Sequence, residues 1–134
     1  MTTNDPIADL LTRIRNASLA RRRYVDIPKS RMLLAIAHCF EKLGFVENVL
    51  VNEEANAGRG IIRVFLKYQK GRRPVIQGLK RVSSPGTRQY TGRGEIPRVF
   101  EGLGATVLTT SKGVMDGESA RQAGIGGEVL CYIW

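Results

Sequence analysis

The sequence predicts an α+β fold of two small domains: an N-terminal α-β-α-β-β unit over residues 1–74 and a strand-rich unit with short helices over residues 75–134. Three observations carry this. Two segments in the first half place apolar residues at the helical period behind good capping residues. The segment 61–68 alternates apolar and polar residues, as a half-buried strand does. A basic, Gly-containing turn at residues 69–74 separates this half from one richer in short strand-like runs and Gly/Pro turns.

Asp5 is placed to cap the first helix, and Pro6 suits its first position, where a missing N–H costs nothing. Ile7, Leu10, Leu11, Ile14 and Ala17 share one face, and the segment ends near Arg21, Arg22 and Arg23. Residues 24–27 read as a short strand closed by Pro28. The second helix is expected over residues 30–43, with Leu33, Ile36, Ala37, Phe40 and Leu43 on one side and Gly44 as a left-handed stop. Residues 45–53 and 61–68 read as strands joined by a polar loop, with Ile62, Val64, Leu66 and Tyr68 on one face.

In the second half a strand is expected over residues 75–83. Ser84, Pro85 and Gly86 follow as a turn with type II chemistry. A short helix is expected over residues 95–103, stopped by Gly104, then a strand over 105–111 and a tight loop at Lys112 and Gly113. Asp116 is placed to cap a last helix ending at Gly124, and residues 128–134 read as a final apolar strand.

Composition narrows the function. Lys and Arg number 21 against 12 Asp and Glu, a net charge of +9 that favours a polyanionic partner. No apolar run approaches a membrane span, and residues 1–10 lack the apolar stretch of a secretory signal. Two cysteines are too few for a disulfide scaffold, so a reduced cytoplasmic protein is expected. Between Lys67 and Arg98 lie nine basic residues and one acid, Glu95, interleaved with Tyr68 and Tyr90. Cations that displace counterions beside rings that stack on bases suit a nucleic-acid surface; an ordinary solvated face with core tyrosines is the plain alternative. The run Arg21–Arg23 reads either as a phosphate contact or as a solvated helix end.

No recognisable catalytic or metal-binding motif occurs; a diffuse carboxylate or backbone site stays open, but nothing in the sequence argues for one. The sole histidine, His38, neighbours Cys39 on a helix, where adjacent residues diverge by about 100°. No metal-ligand spacing, nucleophile elbow or phosphate loop occurs, and Gly124, Gly126 and Gly127 precede a strand, contrary to the dinucleotide fingerprint. No cofactor, no metal and no small-molecule substrate are expected.

Residues 109–113 carry the most specific signal. Thr109, Thr110 and Ser111 supply three hydroxyls that both donate and accept, Lys112 a cation, and Gly113 a close backbone approach. Such a set suits 2′-hydroxyls and base edges in the shallow groove of RNA, and it also reads as an exposed polar turn.

Residues 104–115 (GATVLTTSKGVM) and 120–134 (ARQAGIGGEVLCYIW), with residues 5–16 (DPIADLLTRIRN) and 81–86 (RVSSPG), closely resemble the signature blocks of the eighth small-subunit ribosomal protein family, in register along the whole chain. The resemblance implies two small α/β domains. It implies direct binding to the central domain of 16S ribosomal RNA in the platform of the cytoplasmic small subunit, beside proteins S-five and S-twelve. In some bacterial members it implies repression of their own messenger. It assigns RNA contact to the loop Thr109, Thr110, Ser111, Lys112 and Gly113, supported by Glu128. Arg88 and Arg93 are expected to neutralise phosphate, and Tyr90 to pack on a base or sugar. Ser84, Thr87 and the Asp116-Gly117-Glu118 helix start depart from the common pattern. Two other classes compete: a basic protein-interaction module without RNA selectivity, and a nuclease, which lacks metal-ligand or nucleophile spacing.

Overall fold

The structure, a computed structural model, describes residues 5–134 and has an α+β fold. Residues 1–4 of the stretch read as lacking a secretory signal lie outside the described residues.

The first half is built as its periodicity dictates. Helix α1 (Pro6–Leu19) starts behind Asp5, whose Oδ1 accepts from the Ala8 N–H at 3.2 Å. Strand β1 (Tyr24–Pro28) leads to α2 (Arg31–Lys42), where Ser30 Oγ accepts from Leu33 N–H at 3.1 Å. Gly44, at φ +84°, turns the chain out of α2. Strands β2 (Val46–Asn52) and β3 (Ile61–Leu66) complete an antiparallel sheet of order β1-β3-β2. Ile62, Val64 and Leu66 are buried on one face of the central strand. Tyr68 does not extend β3. It opens a separate hairpin, β4 (Tyr68–Gln69) with β5 (Arg73–Pro74), turned by Gly71 and Arg72 at φ +82° and +60°.

The second sheet has the order β6-β10-β8-β9, from β6 (Leu79–Arg81), β8 (Ala105–Thr110), β9 (Gly113–Asp116) and β10 (Gly127–Ile133). Strand β7 (Tyr90–Thr91) pairs with the start of β10. Helix α3 (Gly117–Ala123) begins behind Asp116 and ends at Gly124, φ +71°. The Gly117 departure has a packing reason: a Cβ there would meet Ile96 Cγ2 at 3.0 Å.

Helices α1 and α2 each touch both sheets: α1 packs on β1 and β6, α2 on β2 and β9. One buried cluster therefore runs from Leu10, Ile36, Phe40 and Val64 to Leu79, Val107, Leu130 and Ile133. A smaller cluster of Ile96, Leu108 and Ala120 sits beneath α3.

Three further expectations need correction. The helix over residues 95–103 is only a 3-10 turn, Phe100–Gly102. Pro97 has no N–H and disfavours helical geometry at Ile96, and its carbonyl instead accepts from the Thr106 hydroxyl at 2.7 Å. Gly102 takes the left-handed conformation (φ +95°), whereas Gly104 is required because a Cβ would lie 2.8 Å from the Ile133 carbonyl. The strand over residues 75–83 shrinks to Leu79–Arg81, because Gly78 is pressed beneath the Trp134 indole and the N–H groups of Gln77 and Gly78 both donate to the Trp134 carbonyl. The turn after Ser83 is closed by reciprocal Ser84–Thr87 backbone bonds, but Gly86 is not left-handed, so it is not type II.

Candidate nucleic-acid interface

The β8–β9 hairpin pairs Thr110 with Gly113, leaving Ser111 and Lys112 as a two-residue tip. Gly113 stands at φ +100°, which the tip requires. The Thr110 hydroxyl is committed to this turn: Oγ1 accepts from Lys112 N–H at 3.0 Å and donates to the Gly113 carbonyl at 2.9 Å. Thr110 therefore shapes the tip, while Ser111, Lys112 and Gly113 are exposed and Thr109 is half-buried.

Strand register builds the rest. Glu128 on β10 is opposite Thr109 on β8 and opposite Tyr90 on β7. Residues directly opposite in antiparallel strands share a face, so Thr109, Glu128 and Tyr90 form one row across the sheet. Tyr90 is 72% exposed. Arg88 Nη1 donates to Glu128 Oε2 at 3.0 Å and joins the row from outside the ladder. The structure thus gathers the hairpin tip, Glu128, Tyr90 and Arg88 from three distant segments. Arg93 is exposed in the turn after β7, closed by Glu95 N–H to the Gly92 carbonyl at 3.0 Å, and is not part of this row.

Sequence reasoning missed three residues that hold the row. Ser83 is fully buried; its Oγ accepts from Gln89 N–H at 2.8 Å and donates to the Gln89 carbonyl at 3.3 Å, pinning the segment that presents Arg88 and Tyr90. A Cβ on Gly126 would lie 2.1 Å from the Thr91 carbonyl oxygen, and one on Gly127 2.1 Å from that of Thr109. Only glycine lets β10 lie this close to both neighbours. The glycine repeat that failed as a dinucleotide fingerprint was the available signal.

The basic window does not form one surface. Arg81 turns inward: Nε donates to Asp5 Oδ2 at 3.0 Å and Nη1 to the Leu130 carbonyl at 2.7 Å. Burial pushes the Asp5 carboxyl up, but the Arg81 guanidinium and the Ala8 and Ile7 N–H groups outweigh it, so the net shift is downward. Arg98 lies 3.7 Å from Glu118.

The row offers hydroxyls, a phenol, a carboxylate and two cations, a set suited to binding a hydrogen-bonding polyanion. Among the described residues no group of three or more His, Cys, Asp or Glu side chains could hold a metal ion. Burial pushes the Cys39 and Cys131 thiols up to about 12, which removes nucleophilic thiolate at neutral pH. Among the described residues no helix is long and apolar enough to cross a membrane.

The family model described as Ribosomal protein S8 matches residues 5–134. The chain is 53% identical over 134 residues to "Small ribosomal subunit protein uS8" of Protochlamydia amoebophila, covering all of both chains. It is 54% identical to the protein of that name from Roseiflexus castenholzii and 49% to that of Geobacter sulfurreducens, again over the full length of each. With a full-length family match and half of its residues shared with such relatives, the chain belongs to the ribosomal protein S8 family, structural proteins of the small ribosomal subunit rather than enzymes.

Proposed function

We propose that this chain binds the central domain of 16S ribosomal RNA directly and helps assemble the platform of the small subunit. The observation that supports this most is the transverse row Thr109–Glu128–Tyr90 beside an exposed two-residue tip. Ser111 and Thr109 hydrogen-bond to sugar and base edges of an irregular RNA helix, and Thr110 holds the tip in shape. Lys112 and Arg88 meet phosphate, Tyr90 packs on a base or sugar, and Glu128 orients Arg88 or accepts from RNA. Arg93 adds an outlying phosphate contact. In this reading residues 75–134 act as the unit carrying the main RNA-binding loop, and residues 1–74 as its partner domain. Proteins S-five and S-twelve are its neighbours, and its own messenger carries a mimic of the ribosomal site through which it represses translation.

Chemical footprinting of small-subunit ribosomal RNA, with the wild-type chain and with Ser111→Ala/Lys112→Ala, tests the reading. Protection confined to one helix of the central domain and lost with the variant is expected. Protection spread evenly along the RNA, or unchanged in the variant, overturns it. The basic protein-interaction alternative predicts no preference for ribosomal over unrelated structured RNA.

A further inference from the structure

Two cationic segments about fifty positions apart in sequence meet at the C-terminal end of α1. The Tyr68 hydroxyl donates to the Arg22 carbonyl, and Arg72 Nη2 donates to the Arg21 carbonyl at 3.5 Å. The turn after α1 is thereby fastened to the β4–β5 hairpin through backbone oxygens, at the cost of one N–H of the Arg72 guanidinium and no acidic group. Arg21, Arg22, Lys70, Arg72 and Arg73 are all exposed, and among the described residues none forms a salt bridge. Neither segment contains an acid: residues 19–24 and 67–75 carry no Asp or Glu. Arg21 and Arg72 both hold left-handed backbone, φ +54° and +60°, so both turns are fixed in sharp conformations that converge. Burial raises the Tyr68 phenol, opposed by the positive charges of Arg72 and Arg21. Arg23 is different: it lies 5.9 Å from the Phe65 ring centre and shares a shallow groove with Glu47.

Like charges held together without counter-charges repel one another, and such a cluster gains most from a ligand that brings several negative charges at once. The cluster also stands far from the hairpin tip. The start of α1 is tied to β10 near Leu130 through Arg81, and Arg15 Nη2 reaches the Leu79 carbonyl, opposite Ile133. Helix α1 therefore runs away from the Glu128 row. Summing strand and helix rises puts Arg21 on the order of 30 Å from the tip. That exceeds the Debye length of about 8 Å several-fold, so the two sites act on separate phosphates.

We propose that Arg21, Arg22, Lys70, Arg72 and Arg73 form a second, sequence-indifferent site for an RNA phosphate backbone at the far end of α1 from the hairpin tip. It rests on the reading that the chain lies on folded ribosomal RNA. The tip selects the site, and this cluster adds a second electrostatic anchor that fixes how the protein lies along the RNA.

The test is a salt titration of binding to the full-length 16S ribosomal RNA transcript by four full-length proteins: wild type, R22A/K70A/R73A, the charge-preserving R22K/R73K, and the tip variant K112A. Circular dichroism of each establishes folding. The triple variant is expected to bind about tenfold or more weakly at physiological salt, with the salt slope shallower by about two to three. The lysine variant keeps the wild-type slope, because charge and not fork geometry is needed. An unchanged slope and affinity in the triple variant, with binding lost only by K112A, overturns the second site and leaves the tip reading standing. Loss with the triple variant but not with K112A supports the cluster and removes the tip reading. If the triple variant binds RNA normally but fails to join small-subunit particles with their proteins present, the cluster meets an acidic protein and the RNA proposal is wrong.

Discussion

Arg88 and Glu128 form an ion pair at 3.0 Å in which the Glu128 side chain is 14% exposed and the Arg88 side chain 49% exposed. The carboxylate thus holds the cation at the edge of the row while restraining it. Neutralising it with Glu128→Gln should release Arg88 to phosphate and steepen the salt slope of RNA binding by up to about one. In Arg88→Ala/Glu128→Gln the slope should return to the wild-type value or below. Filter binding at several salt concentrations checks both, and an unchanged slope in the single variant contradicts the restraint. Folding stability should move by less than about 1 kcal/mol, because the pair is half in solvent.

The hairpin tip separates charge from shape. Lys112→Ala should weaken RNA binding by about 1.5–3 kcal/mol and flatten the salt slope by about one. Ser111→Ala should cost affinity with the slope unchanged, because a hydroxyl releases no counterion. Thr110→Val should weaken binding by removing the two hydrogen bonds that close the tip, and Thr110→Ser should preserve them. Titrations of the four variants on one RNA distinguish these outcomes.

Acid should loosen the fold. The Asp5 and Asp116 carboxyls both sit below their ordinary value of 3.8: burial raises each, but Arg81 and helix N–H groups outweigh it at Asp5, and Ser119 outweighs it at Asp116. A carboxyl with a depressed folded value stabilises the fold fully above its unfolded value and stops doing so as pH falls through the folded one. Urea midpoints should therefore be flat above about pH 5 and fall below pH 4, and Asp5→Asn should reduce the fall. Arg81→Ala should cost about 2–4 kcal/mol at neutral pH, because it leaves a largely buried carboxylate without its partner.

Gly127→Ala places a Cβ 2.1 Å from the Thr109 carbonyl and forces β8 and β10 apart. It should lower stability by about 1–3 kcal/mol or more and abolish RNA binding by splitting the row. Gly94→Ala, which meets nothing within 4 Å, is the matched control and should be near neutral in thermal melts.

Helices α1 and α2 were legible because Asp5, Pro6, Ser30 and Gly44 are local signals, each acting within a turn of its own position. The turn near residues 110–113 was legible for the same reason, although its tip is Ser111 and Lys112, one residue before the loop expected at Lys112 and Gly113. The row was not: that Glu128 stands between Thr109 and Tyr90 is a property of strand register, fixed by side chains from three segments. Counting cations misled at Arg81, whose charge is spent on Asp5 and Leu130, since a sequence does not say which side chains turn inward. The helix expected over residues 95–103 had Gly104 as its stop, and Pro97 overrode it.

The bond between Asp5 and Arg81 spans 76 positions of chain. During synthesis α1 leaves the exit tunnel well before the guanidinium and the Leu130 carbonyl that fasten it. Until then the apolar flank of that helix has only its own half to lean on, so final closure is a late step that a nascent chain cannot complete early.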